Sequence, residues 1–337
     1  MIEFFILLFF FILNYYSLCN FYKISLYLDI FDKPSKRKIH KYKVASIGGF
    51  FFLINFFFII ILGYLFKIKL FFFDIANYLQ LLSFFLIFIL FFILGLLDDK
   101  YNLSYKVKFI FSILFLFFLI QFDNNLIIHD LKFSFLESHI RLENFAIPFT
   151  ILCILLFLNA FNMIDGLNFL SVSYSFFIII FFIFNKYISF VFLLLIFYYL
   201  FFIYLNSNNK IFLGDNGTLS IGFFLSYIFI KSYNSNLIPN VDIIFLIMSV
   251  PGLDMLRLFF QRILKKKNPF KPDSNHLHHL ILFRFPKKNI ASLVMIFVLI
   301  SPYLLTFTQL SYSLIISIVF FGYCFALNFL KSKNKND

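Results

Sequence analysis

The sequence predicts an all-α integral membrane protein: one polytopic domain over residues 1–337, with about eleven transmembrane helices and its polar chemistry gathered at the cytoplasmic face. Three observations carry this. Hydrophobic residues fill 62% of the chain, mean hydropathy is +0.94, and charged residues make up only 13%, about half the usual share of a soluble domain. Apolar runs of about 20 residues, the length that crosses a bilayer core as a helix, recur from end to end. Charged residues fall at the ends of those runs, and the basic ones concentrate at alternate ends.

In chain order the candidate spans are 2–22, 47–66, 79–97, 107–121, 147–161, 169–184, 187–205, 216–231, 242–260, 290–307 and 312–330. The first run lacks a basic leader and a small-residue cleavage site, so it reads as a retained span and not as a signal peptide. Eleven spans send successive connections to alternate faces. One face receives 23–46, 98–106, 162–168, 206–215, 261–289 and the C-terminal tail. With Lys108 these hold 22 of the 29 Lys and Arg, against six on the other face and Arg257 within a span. That asymmetry makes the first face cytoplasmic, with the N-terminus outside and the C-terminus inside. The net charge of +13 is then a topology signal, and no nucleic-acid partner is needed to explain it. The 61 Phe, with no Trp, read as lipid-facing filler. Cys19, Cys153 and Cys324 lie in apolar runs without metal-ligand spacing, which argues against a zinc site or a disulfide framework. The outer segment 122–146 alternates polar and apolar residues around Lys132-Phe133-Ser134-Phe135, the pattern of a small hairpin. No internal repeat is evident.

Five polar clusters reach the cytoplasmic face. The first contains Arg37, Lys38 and His40, followed by Gly48-Gly49 at a helix start. It reads either as a positive-inside anchor or as a phosphate contact, since helix N-termini favour anions. The second is Asp98-Asp99, which ends an apolar run and precedes Ser104, Lys106 and Lys108. Charge at that depth is costly unless it is hydrated, paired or bound to a cation. Ser104 is placed to cap the next helix. Acids beside lysines suit a metal-assisted phosphate reaction, the carboxylates for Mg²⁺ and the lysines for the remaining charge. In the third cluster Asn159, Asn162 and Asp165 are spaced by three, so a continuing helix sets them on one face. The fourth, Phe212-Leu213-Gly214-Asp215-Asn216-Gly217-Thr218, is a tight turn with one acid. Asp215 is either an N-cap or a Mg²⁺ ligand, and Phe212 has a ring that can stack on a base. In the fifth, Asp254 and Arg257 lead to Pro272-Asp273-Ser274-Asn275-His276-Leu277-His278-His279. Three histidines without Cys or Glu suit phosphate contacts better than zinc. Six of the ten glycines (Gly48, Gly49, Gly95, Gly166, Gly214 and Gly217) sit at cytoplasmic span ends, where backbone must turn sharply or approach something closely.

Taken in order over about residues 30–282, DKPSKRKIHKYKVASIGG, LDDKYNLSYKVK, NAFNMIDGLN, FLGDNGT and PFKPDSNHLHH resemble the polyprenyl-phosphate N-acetylhexosamine-1-phosphate transferases. These bacterial enzymes, of glycosyltransferase family 4, begin lipid-linked glycan assembly. The resemblance implies an eleven-helix fold in the bacterial inner membrane, undecaprenyl phosphate and a UDP-sugar as substrates, Mg²⁺ (with Mn²⁺ as the alternative), release of UMP, and a site at the cytoplasmic face. It makes Asp98 and Asp99 the paired active-site acids, Asp98 orienting the lipid phosphate, and Asp215 the Mg²⁺ ligand. His276, His278 and His279 become phosphate contacts, and Lys108 the basic residue near the acids. Phe212, Asn162 and Asp165 fall at nucleoside-pocket positions; Asn159, Arg37 and His40 join the substrate-binding set. A homodimer stays open. The HLHH ending looks more like the enzymes that use UDP-N-acetylhexosamine than like the phospho-MurNAc-pentapeptide transferases. One departure stands out: where the family commonly has DGLDGL, this chain has Asp165-Gly166-Leu167-Asn168-Phe169-Leu170. A polytopic lipid or solute transporter is the rival from another class, and it expects ionisable residues inside spans, as Asp254 and Arg257 are.

Overall fold

The structure, a computed structural model, describes residues 2–32, 42–66, 78–185, 190–269 and 275–332. Among the described residues the architecture is helical. In order the helices are α1 (Ile2–Leu28), α2 (Gly48–Leu65), α3 (Tyr78–Tyr101), α4 (Tyr105–Phe122), α5 (Ala146–Ile164), α6 (Leu170–Phe184), α7 (Phe190–Ser207), α8 (Gly214–Asn234), α9 (Val241–Leu264), α10 (Leu277–Arg284), α11 (Lys288–Leu304) and α12 (Tyr312–Ser332). Phe-rich runs become helices because a segment in hydrocarbon must satisfy its own backbone groups. Each of the eleven apolar segments in the sequence is helical over most of its described residues. Eight of the helices are long and apolar enough to cross a membrane: α1 to α5, α9, α11 and α12. Helices α6 and α7 are apolar but shorter, and α8 does not reach that hydropathy. Two two-stranded ribbons and three single-turn 3-10 helices are the other regular elements among the described residues. β1 (Phe31–Asp32) pairs with β2 (Val44–Ala45), and β3 (Asp130–Leu131) with β4 (Ile140–Arg141), both antiparallel. The second is the outer hairpin expected from alternation. The first, and the short helix α10, have no sequence signal of that kind.

The chain forms two compact units, Met1–Leu126 with Ser175–Lys231, and Ile127–Tyr174 with Ser232–Asp337. In the first, α3 buries Phe84, Ile87, Phe88, Phe91, Leu94, Gly95 and Asp98, a stripe of helical period, while Leu82, Leu86, Ile93 and Leu97 are exposed. Asp98 therefore sits on the face that packs. Phenylalanines fill this interior: Phe52, Phe56, Phe84, Phe88 and Phe91 are at most 4% exposed. Phe56 meets Phe88 at 5.0 Å and Phe91 stacks on Phe223 at 5.0 Å, within the range where aromatic pairs attract beyond their buried area. The reading of Phe as lipid-facing filler is thus corrected for this set, which is core. α8 is buried almost all round from Asn216 to Ser232, so it can carry Ser220, Ser226 and Ser232 without facing lipid. Asn14 of α1 and Asn55 of α2 exchange amide hydrogen bonds of 2.7 and 3.0 Å, a polar clasp inside apolar surroundings.

In the second unit α9 contains Pro251, which has no N–H to give the carbonyl one turn back. The Tyr174 hydroxyl donates to that carbonyl, Ile247 O, instead. Leu246, Ile315 and Val319 form a core between α9 and α12. The β3–β4 hairpin is tied to the start of α9: Ser134 N donates to Asp242 Oδ2 at 2.7 Å and Val241 N to Lys132 O at 3.0 Å.

Candidate active site

The first unit builds an acidic cluster from three helix ends. Asp98 and Asp99 lie in the last turn of α3, where neighbouring positions point about 100° apart, and they do different things. Asp98 is 5% exposed and accepts from Lys108 Nζ of α4 at 2.5 Å. Its carboxyl also lies close enough to that of Asp215 for the two to interact. Asp99 turns to the N-terminus of α8. Its Oδ1 accepts from Asp215 N at 2.9 Å, and its Oδ2 from Asn216 N at 3.1 Å and Asn216 Nδ2 at 2.6 Å. The carboxylate of Asp99 therefore satisfies the orphan N–H groups that open α8 and meets the positive end of its dipole. Asp215 is not an N-cap; it lies in the first turn, its N–H held by Asp99 and its carboxyl beside Asp98.

Close backbone approach makes this geometry. A Cβ on Gly95 would lie 2.3 Å from Asp215 O and 2.5 Å from Asn216 Cα, so α3 meets the start of α8 only because residue 95 has no side chain. Gly214, at φ +74°, makes the turn into α8 in the region that glycine favours. Asn216 Nδ2 also donates to Ser46 O at 2.9 Å. Gly48 N and Gly49 N donate to Phe212 O and Leu213 O at 3.2 and 3.3 Å, so the N-terminus of α2 spends these donors on the protein itself. Those two amides are therefore not available to a phosphate. Arg37 and His40 lie outside the described residues. Phe212 is half-buried, with its N–H donated to Ala45 O at 2.7 Å. Ser104 caps α4, accepting from Val107 N at 3.4 Å.

The second unit builds a histidine cluster. Asp254 of α9 holds the turn that opens α10: its oxygens accept from Leu277 N, at 3.2 Å each, and Oδ2 faces His276 Nδ1 at 3.1 Å. The three imidazoles are mutual neighbours, His276 stacked on His278 at 5.4 Å and His278 against His279 at 4.1 Å. His278 is 2% exposed and its Nε2 has no hydrogen-bond partner among the described residues. Burial, then the neighbouring His279 and His276, push its pKa well below the usual histidine value, against a smaller opposing pull from Asp254. Nε2 packs on Gly166, where a Cβ would come within 2.0 Å of it. The Asp165-Gly166 turn and the HLHH motif therefore touch. Asn159 and Asn162 belong to α5, whereas Asp165 is its C-cap, bonded by Ser171 Oγ at Oδ1. Asn159 Nδ2 returns to Leu155 O at 2.8 Å, a bond within its own helix. The helix stops one residue short of placing all three on one face.

Residues outside the expected set complete these clusters: Asn216 in the first unit, and Asp254, Arg257 and Tyr323 in the second. Ionisable residues three apart inside a span signalled Asp254 and Arg257; nothing singles out Tyr323 among 19 tyrosines.

Fold and clusters define a class: an all-α membrane protein that carries buried carboxylates beside a lysine, and a histidine cluster ordered by a buried acid. The family model described as Glycosyl transferase family 4 matches residues 81–233. A "Probable undecaprenyl-phosphate N-acetylglucosaminyl 1-phosphate transferase" of Bacillus subtilis (strain 168) is 27% identical over 268 residues, covering 77% of this chain and 72% of its own length. Undecaprenyl-phosphate alpha-N-acetylglucosaminyl 1-phosphate transferases of Yersinia pestis and Escherichia coli (strain K12) are 25% and 27% identical. They cover 77% and 56% of this chain, and 71% and 54% of their own lengths. The chain is thus similar to glycosyl transferase family 4 over residues 81–233, and to these relatives over a longer stretch.

Proposed function

We propose that the protein transfers a sugar-1-phosphate, N-acetylhexosamine-1-phosphate, from a UDP-sugar to undecaprenyl phosphate, giving undecaprenyl-diphosphate-sugar and UMP. The observation that carries this reading is the Asp98–Lys108–Asp215 cluster, in a chain whose curated relatives are named for that class of transfer. A phosphate monoester is already largely ionised near pH 7, so its oxygen needs positioning more than deprotonation. Lys108 offsets charge where an anionic lipid headgroup meets an anionic diphosphate, and Asp98 holds Lys108 in place. The lipid phosphate oxygen attacks the β-phosphorus of the UDP-sugar, the bond to the bridging oxygen breaks, and UMP leaves.

Mg²⁺, or Mn²⁺, fits the donors present. The Asp98 and Asp215 carboxyls lie near enough to interact, and both offer hard oxygen atoms. No group of three or more His, Cys, Asp or Glu side chains among the described residues would hold a metal alone. Mg²⁺ characteristically takes one or two carboxylates and completes its shell with substrate phosphates and water. Asp215, with Asp98 beside it, would hold the ion, which when bound neutralises diphosphate charge. Asp99 acts one step back, fixing the backbone of Asp215. The charge asymmetry between the loops supports an inner-membrane location with the acidic cluster on the cytoplasmic side.

The transporter reading loses its main support, because Asp254 and Arg257 bond to each other and to residues of α10 and α12 (below). Membranes carrying Asp98→Asn or Asp215→Asn are expected to lose UMP release from UDP-N-acetylglucosamine plus undecaprenyl phosphate by about a hundredfold or more, the scale of a removed electrostatic contact to developing charge. Wild-type turnover in both variants would overturn the assignment.

A further inference from the structure

Tyr323 lies on α12, some forty residues beyond the last sequence motif, yet its hydroxyl enters the network that fixes the histidines. It donates to Asp254 Oδ1 at 2.9 Å and accepts from Arg257 Nε at 3.0 Å. Arg257 in turn donates through Nη2 to Asp254 Oδ1 and to Asn275 O, both at 2.7 Å, and through Nη1 to Gln261 Oε1 at 3.3 Å. Asn275 is the residue before His276. The guanidinium thus grips the chain at the entry to the HLHH turn while holding the carboxylate that caps it.

Two consequences follow from donor and acceptor arithmetic. Asp254 receives Arg257, Tyr323 and Leu277 on Oδ1, and His276 and Leu277 on Oδ2. A carboxylate offers about four lone-pair sites, so Asp254 is filled and has none left for a cation or a substrate. Its role is to position. An ionised carboxylate only accepts, so the nitrogen facing it, His276 Nδ1, carries the proton. In neutral His276, Nε2 is then the bare nitrogen. The imidazole stack from His276 to His278 and His279 passes that ring orientation on.

We propose that Tyr323 is a positioning residue of the transferase. With Arg257 it holds Asp254 in the one arrangement that keeps His276 protonated on Nδ1, and so aims the three histidines. The role in turnover rests on the function proposed above; the effect on His276 does not.

The test uses the full-length protein in detergent or nanodiscs. Tyr323→Phe keeps the ring and removes only the hydroxyl, and Asp254→Asn replaces a carboxylate that can only accept with an amide that can also donate to His276 Nδ1. Steady-state kinetics with UDP-N-acetylglucosamine and undecaprenyl phosphate are run beside ¹⁵N spectra of histidine-labelled protein, His276 being assigned by loss of its signal in His276→Gln. For Tyr323→Phe the expected result is a fall in kcat of about tenfold, the scale that orienting partners of a histidine carry. KM for undecaprenyl phosphate should stay within about twofold. His276 is Nδ1-protonated in the wild type and shifts toward the Nε2–H tautomer in both variants. Wild-type kcat in Tyr323→Phe, or a lowered kcat with an unshifted His276 signal, overturns the proposal. A wild-type protein that turns over no UDP-sugar overturns the functional reading instead, and leaves the ¹⁵N shift to judge the network.

Discussion

At the scale of single residues, adjacency in sequence is a poor guide to shared work. Asp98 and Asp99 are neighbours, but one meets Lys108 and Asp215 while the other closes the N-terminus of α8. Phe169 is a second case. It sits at φ +48°, in the left-handed region that costs a side-chain-bearing residue about 1–2 kcal/mol, at the position where the family pattern carries glycine. Its ring is 8% exposed, so burial offsets strain. Substituting Phe169 separates the two effects. Phe169→Ala loses the ring and keeps the strain, whereas Phe169→Gly loses the ring and relieves it. Phe169→Gly is therefore expected to melt above Phe169→Ala, by about 1 kcal/mol in detergent. The reverse order would show that the backbone relaxes on substitution.

At the scale of elements, α8 is the helix on which the first unit depends. Glycine at 95 admits its N-terminus against α3, Asp99 caps it, and its far end carries a buried ion pair. Lys231, 5% exposed, meets Asp123, fully buried, at 2.5 Å, and Tyr227 OH donates to the other oxygen of Asp123 at 2.7 Å. Such a pair adds little net stability over an apolar substitute, but removing one partner strands a charge at a cost of about 3–5 kcal/mol. Lys231→Met should therefore lower the melting temperature sharply in detergent. Adding Asp123→Asn, which still accepts from Tyr227, should restore most of the loss. Equal melting of single and double variants would mean that water already reaches this pair.

At the scale of the whole molecule, stability inherits the burial of His278. Its folded-state pKa lies well below the usual 6.5, mainly because burial disfavours the imidazolium, with His279 and His276 adding repulsion and Asp254 opposing. Above about pH 6.5 neither folded nor unfolded chain protonates this ring, and its neutrality costs nothing. As the pH falls below that, the unfolded chain takes up a proton that the folded chain refuses. Stability then drops by up to about 1.4 kcal/mol per pH unit until the folded-state pKa is reached. Melting curves at pH 7.5 and 5.5 should show a larger acid-induced loss for wild type than for His278→Gln. An identical loss in both would assign the acid sensitivity to other groups.

Much was legible in the sequence alone. Among the described residues each hydropathy run holds a helix, eight of them long and apolar enough to cross a membrane, because in a bilayer a segment's length and polarity nearly dictate its structure. Five ordered motifs singled out residues that the fold gathers into two clusters, Asp98 with Asp215 in one unit and the histidines in the other. The outer hairpin was visible as alternation. What the sequence could not decide was partnership. Whether Asp99 works with Asp98 or caps α8, whether the N-terminus of α2 is open to phosphate or closed by Phe212 and Leu213, and whether buried phenylalanines face lipid or each other all depend on which faces meet. Phenylalanine has the same hydropathy in either setting. Tyr323 was the least legible residue: its hydroxyl acquires a role only where α12 packs beside α9 and sets it between Asp254 and Arg257. A local pattern encodes where a helix runs; only tertiary packing decides which of its side chains find partners.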